Sequence, residues 1–594
     1  MCGIIACMGK DASTYIINGL KQLQNRGYDS AGISLMYQGQ WTIRKYASHD
    51  SIQRLSNIVY PPSTNGIGHT RWATHGAKTQ QNSHPHQSYN GVFTLVHNGI
   101  IENYKILKDF LMKQGCVFYS QTDSEVIVNL LEYYYTKDYN VINAIQCATQ
   151  KMEGTWGLCI QCLNEDNTLY CLRRGSPLLI SNNDDFVLVS SEYSGFCGIM
   201  NHYIELNPND ICKIEYVKDK IRMTTKHNYV LNEIHKEICS YTYEPYMNWT
   251  QKEIYEQPET IENVTNHGSR YHSDGTIHLG GLNKDLLKNI EHIILLGCGT
   301  SYFSACIGCK YMKTWCDFTS VQCFDGGEFT TYDIPKGKCA FLFVSQSGET
   351  KDLHKCIELL QDHIKIGVIN KVDSIIAREV DFGCYLNAGR EVGVASTKSF
   401  VSQVVLLSMI ALWFAQLQKG LRPNHKKVIH DLTHLSEHIN QALTIDVKPY
   451  LQMFSKGNCF ILGKDYDEYS SKEASLKIKE LAYIHAEGYS TSSLKHGPFA
   501  LLDKDFPVIL LSPRDKHWQK NENAYEELKS RTNYILTITN EELDREHSIM
   551  VPTNKTYQCI LNMIPLQLLA YELSLIRGYN PDKPRNLAKV VTVE

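Results

Sequence analysis

A cysteine is the second residue of the 594-residue sequence, directly after the initiator methionine. Removal of Met1 would leave a thiol and a free α-amine on the same residue. Because an α-amine titrates at about 7.7–8.0, part of it is unprotonated near neutral pH and can accept a proton from the thiol. Cys2 is therefore a candidate nucleophile that carries its own base. The alternative is a small buried cysteine that happens to be second.

Three further segments near the amino terminus carry groups that suit amide chemistry. Asn98 and Gly99 follow a predicted strand and would offer a side-chain amide and a backbone N–H to an oxyanion; the alternative is an Asn-Gly hairpin turn. Residues 69–76 combine an arginine, a tryptophan, hydroxyls and imidazoles, which suits gripping a carboxylate and covering a site. Asp123 opens a predicted helix, either as its cap or as the partner of a substrate ammonium.

Two loops rich in hydroxyl groups, residues 297–301 and 345–350, each follow a short aliphatic run and precede a predicted helix. N–H groups and the dipole at the start of a helix favour an anion, so such loops suit a sugar phosphate. The second loop matches neither the nucleotide P-loop nor the dinucleotide fingerprint. Each loop alone is explained by N-capping, but the pair predicts a phosphate site at the carboxyl edge of a parallel sheet.

Several charged residues near the carboxy terminus could move protons. Lys477, Lys479 and Glu480 lie on a predicted helix, where most charges are simply solvated, and His496 follows a serine-rich loop. Lys589 lies in an apolar, β-branched terminus, which predicts docking into the protein rather than fraying. Desolvation there would lower the pKa of the Lys589 amine and allow it to attack a carbonyl.

The elements that must position these groups change character near residue 240. Before it, short β-type runs alternate with Gly and Asn turns, with helices predicted near residues 11–25 and 123–135, which favours an α+β, αββα unit. After a polar, irregular stretch, aliphatic strands run into turns and helices, as in doubly wound parallel sheets, and the pattern returns about 165 residues later as in a duplication. The predicted limits are 1–240 for the first domain, 241–285 for a linker, 286–425 and 450–575 for two α/β domains, and 576–594 for an extended tail.

The composition is that of a globular protein. The 63 acidic and 59 basic side chains leave a formal charge of −4, and 43% of residues are apolar, which argues against disorder and against nucleic-acid binding by bulk charge. No secretory signal is predicted, and the longest apolar run, residues 404–415, is shorter than the ~20 residues that cross a bilayer. A cytoplasmic protein without membrane contact is expected.

The 20 cysteines are scattered along the chain, which predicts buried reduced thiols rather than a disulfide framework. The close pairs Cys159/Cys162 and Cys306/Cys309 have metal-like spacing. Neither has a second Cys or His pair nearby to complete a tetrahedral site, so no metal is expected.

The amino-terminal motifs resemble the glutaminase domain of amino-terminal-nucleophile amidotransferases. They occur in the family's order, as residues 1–4, 26–32, 69–76, 84–86, 97–103 and 122–124. The resemblance implies that Cys2 attacks the δ-amide of glutamine and that Asn98 and Gly99 form the oxyanion hole. The other implied roles are Arg71 on the glutamine α-carboxylate, Asp123 on its α-amine, Thr74, His75 and Gly76 lining the pocket, Trp72 as the gate to an ammonia path, and Arg26 as a scaffold residue.

The carboxy-terminal motifs resemble the tandem sugar-isomerase half of the glutamine:fructose-6-phosphate amidotransferase family. They are residues 299–301, 345–350, 391–398, 495–498 and 585–594. The resemblance implies a Schiff base between Lys589 and the opened ketose, ring opening assisted by His496 of a neighbouring subunit, and proton movement by Glu480 with Lys477 nearby. The residues implied around fructose 6-phosphate are Thr300, Ser301, Ser345, Gln346, Ser347, Thr350, Val394, Ser396 and Ala588.

The resemblance further implies an enzyme without cofactor that makes glucosamine 6-phosphate, with ammonia passing through a closed internal passage, because ammonium has no lone pair. A homodimer through the isomerase domains, or a larger homo-oligomer, is expected. Two alternatives are another glutamine-dependent amidotransferase, such as one acting on phosphoribosyl pyrophosphate, and a noncatalytic sugar-phosphate sensor. The first would need a different phosphate motif, and the second should lack Cys2, Glu480 or Lys589.

Overall fold

A computed structural model describes residues 2–9, 11–23, 30–48, 50–71, 79–101, 103–174, 176–196, 198–218, 220–233, 243–371 and 374–590. The chain divides into two compact units. The first is Met1–Tyr241 with Ala588–Val593, and the second is Thr242–Leu587 with Glu594.

The first unit contains two antiparallel sheets. Its described strands are β1 (Gly3–Gly9), β2 (Ser30–Tyr37), β3 (Gln40–Tyr46), β4 (Asn65–Arg71), β5 (His86–Gln87), β6 (Phe93–Ile101), β7 (Gly154–Cys162), β8 (Thr168–Arg174), β9 (Leu179–Asn182), β10 (Phe186–Ser190), β11 (His202–Glu205), β12 (Cys212–Val217), β13 (Lys220–Thr224) and β14 (Asn232–Glu233). The sheet orders are β14-β11-β9-β10-β1-β4-β2-β3 and β13-β12-β8-β7-β6-β5. The α-helices are α1 (Ala12–Leu23), α2 (Ser51–Ser56), α3 (Tyr104–Lys113), α4 (Asp123–Asp138) and α5 (Val141–Thr149).

Strand β1 is apolar on both faces because it lies inside a layered structure. Ile5 packs in one cluster with Ile16 and Leu20 of α1. Its neighbour Ile4 points the other way, as successive strand residues do, and packs with Val96 of the second sheet. Helices α3–α5 cover the far face of that second sheet. The order of layers is helix, sheet, sheet, helix, which confirms the predicted αββα unit.

The second unit contains two parallel sheets. The strands are β15 (His292–Gly297), β16 (Ser320–Asp325), β17 (Cys339–Ser345), β18 (Ile364–Ile369), β19 (Phe382–Tyr385), β20 (Asn458–Gly463), β21 (His485–Ser490), β22 (Val508–Leu511), β23 (Ile535–Thr539) and β24 (Ser548–Met550). The α-helices are α6 (Trp249–Tyr255), α7 (Gln257–Val264), α8 (Lys284–Leu287), α9 (Thr300–Trp315), α10 (Lys351–Leu359), α11 (Ile375–Glu379), α12 (Lys398–Lys419), α13 (Pro423–Thr433), α14 (Leu435–Ala442), α15 (Tyr466–Ala482), α16 (Trp518–Lys529) and α17 (Gln558–Ile576).

The two parallel sheets have the same topology. Their strand orders are β16-β15-β17-β18-β19 and β21-β20-β22-β23-β24, so in each sheet the first strand lies between the second and the third. This is the doubly wound order 2-1-3-4-5, in which ligands bind where the first and third strands meet. The predicted pair of related α/β domains is confirmed, and the loops after β15 and β17 lie at that position in the first of them.

The segment predicted to be an irregular linker is folded. Residues 249–264 form α6 and α7, and Ile254 and Ile261 lie in the apolar core of the second unit. The expectation of irregular structure there was wrong because polar residues of these helices are satisfied by tertiary partners: buried Gln257, for example, donates to Gln567 of α17 at 2.8 Å.

Helices α12 and α17 are each long and apolar enough to cross a membrane by length and composition, and most of each is buried within the protein. The apolar run predicted at residues 404–415 is the middle of the longer α12. Polar residues of α12 have internal partners: the Ser408 and Tyr557 hydroxyls lie 2.7 Å apart, and Gln403 donates to Ser301 at 2.9 Å. Burial and internal pairing of this kind are typical of core helices.

Candidate active sites

Cys2 lies immediately before β1 and is half-buried. The first residues of β1 are fixed by side chains from outside the strand: the Gly3 N–H donates to Thr70 Oγ1 and the Ile4 N–H to Ser191 Oγ, both at 3.1 Å. The Cys2 carbonyl accepts a hydrogen bond from Asn98 Nδ2 at 2.9 Å. The structure therefore brings the candidate nucleophile and the candidate oxyanion donor into direct contact.

Asn98 and Gly99 lie inside strand β6, paired with Gly157 and Trp156 of β7. The hairpin-turn interpretation of this dipeptide is therefore wrong. Gly99 has φ of +133°, and a Cβ there would lie 2.1 Å from the Thr155 carbonyl oxygen, so only glycine fits. This local backbone geometry gives the Gly99 N–H a direction that an ordinary strand residue would not have.

Buried His69 of β4 holds the Asn98 amide in one orientation. Its Nε2 lies 3.1 Å from Asn98 Oδ1 and 3.1 Å from the His97 carbonyl oxygen. Burial lowers the pKa of His69 to about 3, so the ring is neutral at neutral pH. Because a carbonyl oxygen only accepts, the ring proton must be on Nε2. His69 therefore fixes Asn98 Oδ1 as the acceptor and leaves its NH₂ group facing Cys2.

Arg71 and Asp123, predicted to hold the ends of glutamine, are both almost fully buried. Arg71 ends β4, whose preceding residue Thr70 pairs with Gly3 of β1. Asp123 is the first residue of α4, but the cap of that helix is Thr122, whose side chain accepts from the Glu125 N–H. One carboxylate oxygen of Asp123 accepts from the Ile101 N–H at 2.9 Å, at the end of β6. The capping interpretation of Asp123 is thus wrong, whereas its role toward an ammonium stays a prediction.

The remaining predicted residues of this site lie outside the described residues. They are Arg26, Trp72, Thr74, His75 and Gly76.

In the second unit, the two predicted phosphate loops follow neighbouring parallel strands, β15 and β17. Ser345 ends β17, and its hydroxyl accepts from the Gly348 N–H at 2.9 Å, which curls the loop back on itself. The Ser347 hydroxyl accepts from the Glu349 N–H at 3.2 Å. Thr350 is the residue before α10, yet its side chain makes no capping hydrogen bond. N-capping by Thr350 therefore does not explain the loop.

Gln346 and Ser301 belong to the same pair of loops. Gln346 is half-buried and follows Ser345, while Ser301 lies in the first turn of α9 and its hydroxyl accepts from Gln403. Both loops thus open at the edge of the sheet where the doubly wound topology predicts a ligand.

Helix α15 presents three charged side chains at i, i+4 and i+7 to the start of α9. Lys477 Nζ lies 2.5 Å from Glu480 Oε2 and 3.5 Å from Glu473 Oε1. It also donates to Thr300 Oγ1 at 3.1 Å, and that hydroxyl in turn donates to Glu473 Oε1 at 3.1 Å. The structure therefore joins Lys477, Glu480 and Thr300, three predicted residues, through one hydrogen-bonded cluster.

Burial and neighbouring charges shift the pKa values of two groups in this cluster. Burial raises the pKa of Glu473 to about 8, so this carboxyl is mostly protonated at neutral pH. Burial also acts to lower the pKa of Lys477, but the two neighbouring carboxyls outweigh it and the net direction is upward. Lys477 and Glu473 are thus buried side by side, whereas the side chain of Glu480 is partly exposed.

The other predicted sugar residues are less closely connected to this cluster. Val394 is buried and its N–H donates to the Asp582 carbonyl at 3.2 Å, and Ser396 is half-buried. His496 ends a 3₁₀ turn, Thr491–His496, and is exposed. Ala588 and Lys589 are half-buried and belong to the first unit. Their roles at the sugar stay predictions.

Sequence reasoning assigned no role to His69 or Glu473. His69 was part of a recognised motif, but nothing in the sequence reveals which group it touches. Glu473 could have been found from its spacing, because residues 473, 477 and 480 share one face of a helix. Within the described part of the chain no group of three or more His, Cys, Asp or Glu side chains could hold a metal ion. Cys159, Cys162, Cys306 and Cys309 are free and buried, as predicted.

Comparison with known proteins identifies the domains of both units. A glutamine amidotransferase domain matches residues 69–197, and the SIS domain matches residues 286–413 and 452–577. The "probable glutamine--fructose-6-phosphate aminotransferase [isomerizing]" of Acanthamoeba polyphaga mimivirus is 40% identical over 613 residues, covering 100% of both chains. The aminotransferases of that name from Chlorobaculum tepidum and Pyrococcus horikoshii are 36% and 34% identical, again over 100% of both chains.

Among solved structures, the carboxy-terminal domain of glucosamine-fructose-6-phosphate aminotransferase from Francisella tularensis is similar to 58% of this chain. The match covers 100% of the Francisella domain, with a TM-score of 0.54 and 28% sequence identity. Fold, sites and matches together define a glutamine amidotransferase joined to two SIS domains. The chain belongs to the glutamine–fructose-6-phosphate aminotransferase (isomerizing) family. This assignment replaces the two alternative functions considered from the sequence.

Proposed function

We propose that this protein releases ammonia from glutamine in its first unit and uses it in its second unit to convert fructose 6-phosphate into glucosamine 6-phosphate. The observation that carries the proposal is the 2.9 Å hydrogen bond from Asn98 Nδ2 to the Cys2 carbonyl. It fixes a donor amide beside the candidate nucleophile. Similarity over the full length to aminotransferases of this name supports the pairing of the two activities in one chain.

In the first reaction the Cys2 thiol loses its proton to its own α-amine, and its sulfur attacks the δ-carbonyl carbon of glutamine. The Asn98 amide and the Gly99 N–H stabilise the resulting oxyanion. The α-ammonium then protonates the leaving nitrogen, and ammonia departs from a thioester. Water hydrolyses the thioester, which releases glutamate and restores the thiol. Arg71 and Asp123 would hold the α-carboxylate and the α-ammonium of glutamine.

In the second reaction Lys589 condenses with the C2 carbonyl of opened fructose 6-phosphate and water leaves. Ammonia displaces the lysine and leaves an imine at C2. Glu480 takes a proton from C1 and returns it to C2. The imine nitrogen gains a proton from water and the C1 hydroxyl loses one to water, so that C1 becomes an aldehyde and C2 carries the amine. The neighbouring Lys477, whose Nζ lies 2.5 Å from Glu480 Oε2, would hold the Glu480 side chain in place for these transfers. The phosphate would lie against the Ser345–Thr350 hydroxyls and N–H groups.

Several finer features belong to the same proposal. The protein acts as a homodimer through its isomerase domains, or as a larger homo-oligomer, in the cytoplasm, without membrane or nucleic-acid contact. The exposed position of His496 supports its donation to a neighbouring subunit. The reactions need only the two substrates. The domain limits remain 1–240, 286–425 and 450–575, with the tail at 576–594.

The test compares Cys2→Ala with wild type, measuring glutamate and glucosamine 6-phosphate from glutamine and fructose 6-phosphate. We expect glutamine-dependent synthesis to fall by roughly a thousandfold or more, since no other group replaces the thiol. Conversion of fructose 6-phosphate to its aldose should persist, because Cys2 is not among the groups proposed for that reaction. Cys147→Ala, which removes another half-buried thiol, is the control and should retain synthesis. Equal synthesis by Cys2→Ala would contradict the proposal.

A further inference from the structure

Helix α6, the first helix of the second unit, is anchored by a carboxylate from the other end of the chain. Asp582 accepts from the N–H groups of Trp249 and Thr250, at 3.0 and 2.7 Å, and from the Thr250 hydroxyl at 2.8 Å. Three hydrogen bonds thus join the start of α6 to a residue that lies seven positions before Lys589.

The same helix also holds the loop of residues 391–397, which includes the predicted sugar residues Val394 and Ser396. Buried Glu253 of α6 accepts through Oε1 from the N–H groups of Val392 and Gly393. A Cβ on Gly393 would lie 2.9 Å from Glu253 Oε2 and 3.0 Å from Thr250 Oγ1. The loop therefore lies directly on α6, with glycine at the point of closest approach.

Two more contacts complete the connection. The Asp582 carbonyl accepts from the Val394 N–H at 3.2 Å, so one residue holds both α6 and the loop. Just after α6, Glu256 accepts from Lys398 Nζ at 2.7 Å, and Lys398 is the buried first residue of α12. Groups of α6 and of the tail thus fix the loop at positions 392, 393 and 394, and Glu256 fixes the start of α12 directly after the loop.

We propose that Glu253 and Asp582 are positioning residues of the sugar site: Glu253 holds the sugar loop, and Asp582 holds both that loop and the tail segment that leads to Lys589. This inference rests on the proposed function. Neither residue contacts the reacting atoms. Glu253 aligns N–H groups of the loop through its carboxylate; Asp582 contacts the loop through its main-chain carbonyl, and its carboxylate ties the tail to the start of α6. Carboxylates suit this task because each oxygen accepts several hydrogen bonds, and charge strengthens them.

Isosteric amides test the proposal in the full-length chain. In Asp582→Asn one of the two acceptor oxygens becomes a donor NH₂ group that faces a backbone N–H. In Glu253→Gln the oxygen that accepts from Val392 and Gly393 loses the negative charge that strengthens these hydrogen bonds. For Glu253→Gln we expect the KM for fructose 6-phosphate to rise about tenfold while kcat stays within about twofold, since only the loop is disturbed. For Asp582→Asn both KM and kcat should worsen about tenfold, because the side chain that ties the tail to α6 is weakened while the main-chain contact to the loop remains. Borohydride trapping of the fructose 6-phosphate adduct at Lys589, measured by mass spectrometry, should fall in parallel.

The matched control is Asp431→Asn. The Asp431 carboxylate also accepts from a backbone N–H and a hydroxyl of one threonine, Thr556, away from the sugar loop. The Asp431→Asn substitution should lower the unfolding temperature by about as much as Glu253→Gln and Asp582→Asn do. It should leave the KM for fructose 6-phosphate and the trapping yield unchanged. Glutamine hydrolysis without sugar should stay within about twofold of wild type in all three variants.

The outcomes distinguish failure of the positioning role from failure of the proposed function. If wild type makes product, and Glu253→Gln and Asp582→Asn lose stability as Asp431→Asn does but keep the wild-type KM and trapping yield, the carboxylates are merely structural and the inference is wrong. A change in KM for the Asp431→Asn control would overturn it as well. If wild type itself neither traps nor converts fructose 6-phosphate, the proposed function fails, and the inference fails with it.

Discussion

At the scale of single residues, Asn98 can serve as an oxyanion donor only if its amide cannot flip. The nearly isosteric oxygen and nitrogen of an amide are distinguished by their partners alone. Neutral His69 supplies that distinction by donating from Nε2 to Asn98 Oδ1. The proposed reaction requires no proton transfer by the His69 imidazole. His69 is therefore a positioning residue that acts through Asn98.

We predict that His69→Phe lowers kcat for glutamine hydrolysis about ten- to a hundredfold, because the Asn98 amide loses its orienting partner. His69→Gln should recover most of the activity, since its amide NH₂ can replace Nε2 as donor. In a double-mutant cycle, adding His69→Phe to Asn98→Ala should cost no further activity. Independent losses, or failure of His69→Gln to recover activity while the protein remains folded, would contradict the positioning role.

The residues that could be predicted from sequence are those whose chemistry is visible in their type. Cys2, Asn98, Gly99 and Ser345 stand out as a thiol, an amide, a flexible backbone position and a hydroxyl at the end of a strand. Glu473 does not, because a glutamate on a Lys- and Glu-rich helix looks solvated until the surface packed against it is known. Its burial and raised pKa are properties of the tertiary structure.

At the scale of elements, continuous aliphatic runs predicted the strands of both parallel sheets, since strands buried on both faces are apolar throughout. The duplication also extends to backbone detail that no pattern reveals. Gly299, before α9, and Asp465, before α15, have φ/ψ of 55°/−125° and 62°/−116°. An aspartate tolerates this positive φ because Lys310 and Lys516 contact its carboxylate, each at 2.9 Å. Helices α6 and α7 could not be predicted, because they are short and depend on tertiary partners.

The interface between α15 and α17 contains a buried acid that makes stability depend on pH. Asp467 accepts from Asn562 of α17 at 3.0 Å, and burial raises its pKa to about 7. The pKa of Asp467 in the folded protein lies above its unfolded value of about 3.9. The contribution of the protonated Asp467 carboxyl to the free energy of unfolding is therefore complete below pH ~4 and is lost as the pH rises to about 7.

We therefore predict that Asp467→Asn, which keeps the acceptor oxygen for Asn562, has nearly the wild-type urea midpoint at pH ~4 and below and exceeds it at pH 8. The difference between the two proteins should grow between pH ~4 and ~7 and then level off, because all other titrating groups cancel in the comparison. The exposed Asp446→Asn is the control and should follow wild type at every pH. Parallel curves for Asp467→Asn and wild type would exclude a raised pKa.

At the scale of the whole molecule, the two chemistries lie in two units with separate apolar cores. Each unit contains the groups proposed for its own reaction, apart from the tail residues Ala588 and Lys589, which belong to the first unit. The sequence indicated this division through the change from antiparallel to parallel patterning near residue 240. It follows that substitutions in one site should separate the two activities rather than abolish both.

Lys589 provides the sharpest form of this prediction. Lys589→Ala should reduce glucosamine 6-phosphate synthesis at least a hundredfold and leave glutamine hydrolysis measurable, because Cys2 and Asn98 retain their contacts. Lys589→Arg should fail equally, since a guanidinium keeps the positive charge but does not deprotonate to attack a carbonyl. Paired assays of glutamate and glucosamine 6-phosphate, with borohydride trapping of the sugar adduct, measure both effects. Synthesis by Lys589→Arg near the wild-type rate would show that charge, not a Schiff base, is what the tail contributes.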